Sequence, residues 1–387
     1  MEKIKVTKEA GKVIDGHAPG VRGKDLERYV SAGISSDHEC TTKEEALEKL
    51  GLGMNIMIRE GSVMKNMEDL MGIVSEENEN QCMFVSDDIH PETLIKEGHL
   101  DRVLRKAVSL GLNPITALKM VTINPARYFS LKGFGRVSPG YRASFVVLKD
   151  LVDFEVAAVF VDGRIVSRNG KLLERFSGSN IPKKIKSSLN LKPVADNMLR
   201  IKSGKARVRV IEIPNRERTE ALNEKNGYLV PDLRKDILPL VVVERHKASG
   251  RIGKGFVSGF GLKRGALAST VAHDSHNIIC VGANYEDMAF AIRTLKRENG
   301  GLVAVADRKV LGILELPVSG LMSDKTAGEV SKKLDILHRA TGRLGCKLNS
   351  PFMELAFLAL PVIPRLKLTD RGLVDVEKFR IVDVRAG

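Results

Sequence analysis

The sequence predicts an α/β fold in which parallel strands alternate with helices, followed by an α+β region. Over the first ~130 residues a short apolar run that ends in polar residues alternates with a charged helical stretch. The runs begin about 20 to 27 residues apart, which is the size of one strand–helix unit. Beyond about residue 200, strand and helix patterns follow one another less regularly, which is typical of an α+β domain.

Four strands are predicted in the first region, and each ends in an ionisable or polar side chain. The strands cover Lys12–His17, Gly33–His38, Asn55–Glu60 and Cys82–Asp88. After the second strand, Thr42 is placed to cap a helix, and Glu45 occupies the third helical position expected of a capping box. A helical stretch over His99–Leu131 follows the fourth strand.

The rest of the chain divides into three further parts by composition. Short apolar runs separated by the turns Pro139-Gly140 and Asp162-Gly163 predict a small β module. A basic, serine-containing stretch then predicts a linker. The predicted boundaries are residues 1–130 for the α/β region, 131–175 for the β module, 176–200 for the linker and 201–387 for the α+β domain.

Composition and charge limit the classes of function. The 387 residues carry a net charge of +14, but the basic residues are mostly interleaved with acids, and there is no Trp. Nucleic acid is therefore not the expected partner, because few aromatic side chains are available for base stacking. The four cysteines are far apart and form no CxxC pair, which argues against a disulfide framework or a zinc ribbon. Without an apolar signal or membrane segment, we expect a cytoplasmic location.

Ligand-capable side chains occur at the ends of all four predicted strands: His17, His38, Glu60 and Asp87. Because the carboxyl ends of parallel strands open onto one face, we expect these side chains to lie on the same rim. Histidine and carboxylate ligands suit divalent metals such as Mn, Fe and Zn. A bound metal lowers the pKa of water, and a neighbouring carboxylate accepts the proton. The pattern predicts a metal-assisted hydrolase.

Long motif strings at these residues resemble the bacterial and archaeal adenine deaminases of the amidohydrolase superfamily. The strings are IDGHAPGVRGKDLERYVSAGISSDHECTTKEEALEKL, MIREGS, FVSDDIHPETLIKEGHLD, TVAHDSHNIICVGAN, LPVSGLMSD and FLALPVIPRLKLTDRGLVDV. NPAR followed by GRVSPGYRASFVVL also resembles the closing β module of the superfamily, with Ser144 where Asp is usual. The resemblance implies the C-terminal half of a (β/α)8 barrel (strands 5–8), the small β module and an α+β C-terminal domain.

The family reaction implied by the resemblance is hydrolysis of adenine to hypoxanthine and ammonia by a metal-bound hydroxide at a two-metal site, generally Mn or Fe. By that resemblance His17 and His38 ligate one metal, and Asp87 ligates the other and accepts the proton. Glu60 is a candidate catalytic acid, while Glu39 is either a residue behind the ligands or simply solvated. The implied substrate-side residues are Ser62, Asp88, His90, His273 and His276.

One departure from the family pattern concerns the remaining metal ligands. None of the eight histidines forms the H-x-H motif expected on the first barrel strand, and the bridging glutamate of the fourth strand is also absent. We therefore expect the first half of the barrel to be missing from this chain. Three alternatives follow: a separate N-terminal half chain completes the barrel, a homo-oligomer does so, or the chain is a catalytically inactive paralogue.

Overall fold

A three-stranded parallel sheet organises the first of two units, which comprise residues 1–178 and 179–387. The structure, a computed structural model, describes residues 2–174, 181–186, 188–204, 207–214 and 216–386. The sheet contains β1 (Ser36–Asp37), β2 (Asn55–Arg59) and β3 (Cys82–Val85). Ser36 lies opposite Asn55, and Ile56 lies opposite Cys82, so all three carboxyl ends lie at one edge.

Two of the predicted strands differ from the structure. Lys12–His17 forms no strand, because the segment shares only one backbone hydrogen bond with its neighbour, from Ser35 N to Ile14 O at 3.1 Å. A strand requires a continuing ladder of such bonds. The run Gly33–His38 narrows to the two residues of β1. The described residues of this region form three strands of a parallel sheet, and the predicted half-barrel with four strands is not confirmed.

The helices of the first unit are α1 (Glu2–Glu9), α2 (Gly23–Ser31), α3 (Lys43–Gly51), α4 (Met67–Leu70), α5 (Pro91–Lys96), α6 (Leu100–Ser109), α7 (Pro114–Val121) and α8 (Ile123–Tyr128). Of these, α3, α4, α6, α7 and α8 pack on β2 or β3. Short 3₁₀ turns lie at Met71–Ile73 and Glu79–Gln81. The core joins strand residues such as Ile56, Ile58 and Phe84 to helix residues such as Leu104 and Met120. Burying each such side chain contributes roughly 1.5–3 kcal/mol.

The small β module predicted over 131–175 contains a four-stranded antiparallel sheet. Its strands are β4 (Phe145–Leu148), β5 (Val156–Val161), β6 (Arg164–Arg168) and β7 (Lys171–Leu172). Phe145 and Phe160 stack with their ring centroids 4.6 Å apart. The turn between β5 and β6 falls at Asp162-Gly163, as its residue types predict.

The second unit is built on an eight-stranded mixed sheet in the order β17-β16-β14-β15-β12-β13-β8-β9. Its helices and strands in chain order are α9 (Asp196–Leu199), β8 (Arg207–Glu212), β9 (Arg216–Ala221), β10 (Glu224–Lys225), β11 (Tyr228–Leu229), β12 (Leu238–Val243), β13 (Ile252–Ser258), β14 (Ala266–Ser269), β15 (Ile278–Gly282), α10 (Tyr285–Arg297), β16 (Gly301–Ala306), β17 (Lys309–Glu315), α11 (Ala327–Arg343), α12 (Pro351–Phe357), β18 (Leu366–Thr369), β19 (Gly372–Asp375) and β20 (Arg380–Val382).

Both faces of the eight-stranded sheet are buried at β12, which explains the continuous apolar run of this strand. Leu240 and Val242 pack on the face that α11 and α12 cover, whereas Val241 and Val243 pack on the face that α10 covers. Every residue of β12 is buried. Successive residues of a strand point to opposite faces of the sheet. When both faces are covered, all positions are apolar, and the sequence lacks the alternation of apolar and polar residues that marks a strand.

Part of the predicted linker 176–200 packs into the second unit. Leu191, Val194 and Leu199 are buried in the core on the α10 side of the sheet. Residues 175–180 and 187 lie outside the described residues. In the part of the chain that the structure describes, no helix is both long enough and apolar enough to cross a lipid bilayer.

Candidate metal centre

Three side chains converge beyond the end of β1: His17, His38 and Glu39. Glu39 Oε1 lies 3.5 Å from His17 Nδ1 and 3.7 Å from His38 Nε2. One ligand atom from each of the three side chains falls within 4.8 Å of the other two. Two imidazole nitrogens and a carboxylate oxygen are a donor set that divalent transition metals accept. The residues present therefore fit a metal ion.

The backbone brings the two histidines together through a close approach of two segments. A Cβ on Gly16 would lie 2.3 Å from the carbonyl oxygen of Ser36 and 2.9 Å from the hydroxyl of Tyr29. Only glycine fits where the segment before His17 crosses the start of β1. The imidazole rings of His17 and His38 then meet edge to face, with centroids 5.6 Å apart.

Asp15 orients His38 from the opposite side. Its Oδ2 lies 3.2 Å from His38 Nδ1, and its Oδ1 accepts a hydrogen bond of 2.5 Å from Ser36. Ser36 accepts in turn from the hydroxyl of Tyr128 at 2.6 Å. A carboxylate on Nδ1 favours the tautomer in which Nε2 carries the lone pair that a metal needs. The hydrogen bond to Asp15 raises the pKa of His38, against the effect of burial, which lowers it.

Arg59, at the end of β2, links this cluster to Asp87. Its guanidinium is almost fully buried, and Nη1 contacts Glu39 Oε1 and lies 3.5 Å from Asp87 Oδ2. Nε donates to Asn66 at 3.1 Å, which fixes the plane of the group. Asp87 has a φ of +53°, a backbone conformation that aspartate tolerates better than most residues. Asp87 is therefore near the cluster, but it is not one of the three converging donors.

Glu60 follows Arg59, whose side chain contacts Glu39, and successive residues of a strand point to opposite faces. The Glu60 side chain is 1% exposed, and Oε1 lies 3.0 Å from Lys106 Nζ and 3.8 Å from Arg102 Nη1, both on α6. Its other oxygen, Oε2, is buried without a hydrogen-bond partner. The contacts with α6 make Glu60 an anchor between β2 and α6.

The remaining predicted residues of the first unit lie in two loops: Ser62 follows β2, and Asp88 and His90 follow β3. Ser62 donates from Oγ to Thr93 Oγ1 at 2.9 Å and accepts from the backbone of His90 at 2.8 Å. The carbonyl oxygen of Asp88 accepts from Ser62 N at 3.0 Å. The Ser62 hydroxyl thus connects the loop after β2 with the loop after β3 and with Thr93 on α5.

His273 and His276 lie in the second unit, between β14 and β15. Their rings are 5.9 Å apart by centroid, and His273 lies 5.8 Å from the ring of Phe357. Burial and the neighbouring His273 and Arg245 lower the pKa of His276. No described residue completes a metal-binding group of three or more ligands around this pair.

Comparison with known proteins assigns both units. The sequence profile of the amidohydrolase family matches residues 1–166, and that of the adenine deaminase C-terminal domain matches residues 212–380. An adenine deaminase of Dehalococcoides mccartyi is 47% identical over 98% of this chain and 67% of its own length. Adenine deaminase 2 of Carboxydothermus hydrogenoformans is 48% identical over 99% of this chain and 68% of its own length.

The chain belongs to the adenine deaminase family. It spans about two thirds of the length of the curated relatives that it matches. The similarity to these relatives runs over 98% or more of the chain, so a separate partner chain has no support. Among solved structures, a β-aspartyl dipeptidase of Fervidobacterium islandicum is 19% identical, with a TM-score of 0.34 over 45% of this chain and 53% of its own. The family assignment rests on the sequence matches.

Two residues that contact the converging side chains were not singled out from the sequence, and the role of a third was left open. Asp15 contacts His38, and Arg59 contacts Glu39. Glu39, which the sequence left open as either a residue behind the ligands or a solvated one, is 14% exposed and lies between the two histidines. Their position in the sequence was a usable signal, because each lies within two residues of His17, His38 or Glu60, the side chains at the ends of predicted strands.

Proposed function

We propose that this chain catalyses the hydrolytic deamination of adenine to hypoxanthine and ammonia. The observation that carries the proposal is the 47% identity over 98% of the chain to a protein named adenine deaminase. The cluster of His17, His38 and Glu39 lies within the region that matches the amidohydrolase family, whose members depend on metal ions. Adenine, rather than another aminopurine, is the proposed substrate.

His17, His38 and Glu39 are the residues that would hold a divalent cation, with Asp87 as the candidate ligand for a second. Manganese or iron is the proposed metal. When bound, the cation would supply the Lewis acidity that makes water reactive near neutral pH. Asp15 contributes by holding Nδ1 of His38, which leaves Nε2 free to coordinate.

Asp87 is the proposed proton acceptor. Its Oδ2 lies 3.5 Å from Arg59 Nη1, so the guanidinium keeps the carboxylate oriented toward the converging side chains. Overall, water adds at C6 of adenine, its protons pass to the purine and to the departing amine, and ammonia leaves. Asp87 would carry a proton between these positions.

Glu60, Ser62, Asp88 and His90 are proposed to act on the substrate side, as are His273 and His276 in the second unit. The buried, unpartnered Oε2 supports a polar contact of Glu60 with a ligand. Its contacts with Lys106 and Arg102 support a structural role instead. For the other five residues the support is the family resemblance.

The test is release of ammonia and hypoxanthine from adenine by the purified chain, loaded with Mn²⁺ or Fe²⁺. We expect equal amounts of the two products. His38→Ala should abolish activity, while His338→Ala, on α11 of the second unit, should leave it unchanged. Absence of ammonia with both metals, or full activity of His38→Ala, would contradict the proposal.

A further inference from the structure

A buried ammonium group lies behind the loops that carry His17 and His38. Lys49, on α3, has a fully buried side chain. Its Nζ donates to Asp37 Oδ2 at 2.5 Å, to Glu45 Oε1 at 2.6 Å and to the carbonyl oxygen of Ala18 at 2.8 Å. An ammonium has three protons, and these three oxygens use all of them.

Two of the three partners of Lys49 lie next to the histidines in the two loops. Ala18 follows His17 directly, and Asp37 precedes His38. Asp37 Oδ1 also accepts from the backbone N–H groups of Glu39 at 3.0 Å and of Ala18 at 3.4 Å. One carboxylate therefore fixes the backbone next to both histidines and at Glu39.

Glu45 forms hydrogen bonds with both loops, at residues further from the histidines. Its Oε1 accepts from the N–H of Gly20 at 2.7 Å, and Oε2 accepts from the N–H of Thr41 at 3.2 Å. The sequence predicts for Glu45 the third position of a capping box; Thr42 does accept from Glu45 N at 3.3 Å. The carboxylate of Glu45 instead bonds to the loops and to Lys49, so it serves both segments rather than the helix end.

The charges of the cluster explain why an ammonium belongs there. Asp37, Cys40 and Glu45 could by themselves form a group of cation ligands, but Lys49 Nζ lies among them. Burial lowers the pKa of Lys49, yet its hydrogen bonds to Asp37 and Glu45 raise it overall. Burial and the Asp37 carboxylate raise the pKa of the Cys40 thiol, so it stays neutral. A positive charge thus offsets two buried carboxylates.

We infer that Lys49 is a positioning residue: with Asp37 and Glu45 it sets the separation of the two loops so that His17, His38 and Glu39 converge. The inference rests on the proposed function only in that these three residues are taken as metal ligands. Groups behind metal ligands commonly change metal affinity by about 10- to 100-fold when they are removed.

Lys49→Met tests the inference, because methionine retains much of the side-chain length and removes the charge. Lys119→Met is the matched control: Lys119 makes an ion pair of 2.6 Å with Glu79 in the same unit. In the metal-free proteins, amide hydrogen exchange is measured over residues 17–22 and 38–42. In the same proteins, Mn²⁺ affinity is measured by competition with a chelator.

For Lys49→Met we expect faster exchange in both segments and Mn²⁺ affinity reduced about 10-fold or more, with kcat falling more than KM changes. Lys119→Met should match the wild type in all three. A folded Lys49→Met protein with wild-type exchange and affinity would overturn the inference.

If Lys49→Met does not fold, Glu45→Gln is used to test the positioning role instead. This variant removes one carboxylate charge and keeps an oxygen that accepts from Gly20. Faster exchange over 17–22 and 38–42 would support the positioning role, and unchanged exchange would overturn it. Should the wild-type protein release no ammonia, the proposed function fails, while the exchange comparison still decides the role of Lys49.

Discussion

The two nitrogens of His38 have different partners, and this difference is what makes the side chain suitable for a metal. Asp15 holds Nδ1 at 3.2 Å, and Nε2 faces Glu39 at 3.7 Å. Burial raises the pKa of Asp15, but hydrogen bonds from His38 and Ser36 bring it below its ordinary value. The Asp15 carboxylate can therefore accept a hydrogen bond from the Nδ1–H of His38.

Asp15→Asn should weaken metal binding by about 10- to 100-fold, because the amide no longer fixes the tautomer of His38. Isothermal titration with Mn²⁺ measures the change. The matched control is Asp25→Asn, since Asp25 is exposed and pairs with Arg28 on α2. Equal affinities for the two variants would show that Asp15 does not orient the ligand.

At the scale of single residues, the sequence predicted that His17 and His38 lie near each other, but not that Asp15 and Arg59 contact this cluster. His17, His38 and Asp87 could be selected because strand ends in a parallel sheet point to one edge. Lys49 could not, because a Glu–Lys pair four residues apart on a charged helix is usually a solvated pair. Its burial depends on contacts with Ala18 and Asp37, which are distant in sequence.

At the scale of elements, strand length was the least predictable feature. The apolar runs correctly located β2 and β3, and the predicted helical stretch after the fourth strand contains α6, α7 and α8. Lys12–His17 has a strand-like sequence, yet the strand prediction is wrong because pairing requires a hydrogen-bonding partner that the run itself does not encode. Similarly, β14 (ALAS) lacks the branched residues that mark a strand, and only its neighbours β15 and β16 define it.

The loop after β12 provides a prediction about pH at this scale. Glu244 is buried and accepts hydrogen bonds from the backbone N–H groups of His246, Lys247 and Ser249 and from the Ser249 hydroxyl. Burial raises the pKa of Glu244, but these bonds outweigh it and lower the pKa to about 2.

Because the folded pKa of Glu244 is depressed, its stabilisation is present above its ordinary pKa of 4.5 and is lost as the pH falls toward about 2. Glu244→Gln should lower the free energy of unfolding at pH 7 by up to about 3 kcal/mol. It should also flatten the pH dependence between these two values. Urea unfolding at several pH values measures both effects. A variant whose stability falls with acid as steeply as that of the wild type would contradict this account.

At the scale of the whole molecule, the two units divide the family similarity between them. The amidohydrolase match lies in residues 1–166 and the adenine deaminase C-terminal match in residues 212–380, each within one unit. The order of the motifs along the chain was enough to identify the family from the sequence. The convergence of Glu39 with the two histidines was not predictable, because Glu39 lies in the loop after β1 and its contacts with His17 and His38 depend on the fold.

The most direct test of this account is the binding of Mn²⁺ to the purified chain. Binding is measured by titration and by metal analysis after gel filtration. The account predicts saturable binding that Glu39→Gln weakens by about 10-fold or more. Glu76→Gln, which changes an exposed residue of the same unit, should bind as the wild type does. If the wild type retains no metal, or if Glu39→Gln binds Mn²⁺ as tightly as the wild type, the assignment of His17, His38 and Glu39 as a metal centre is wrong.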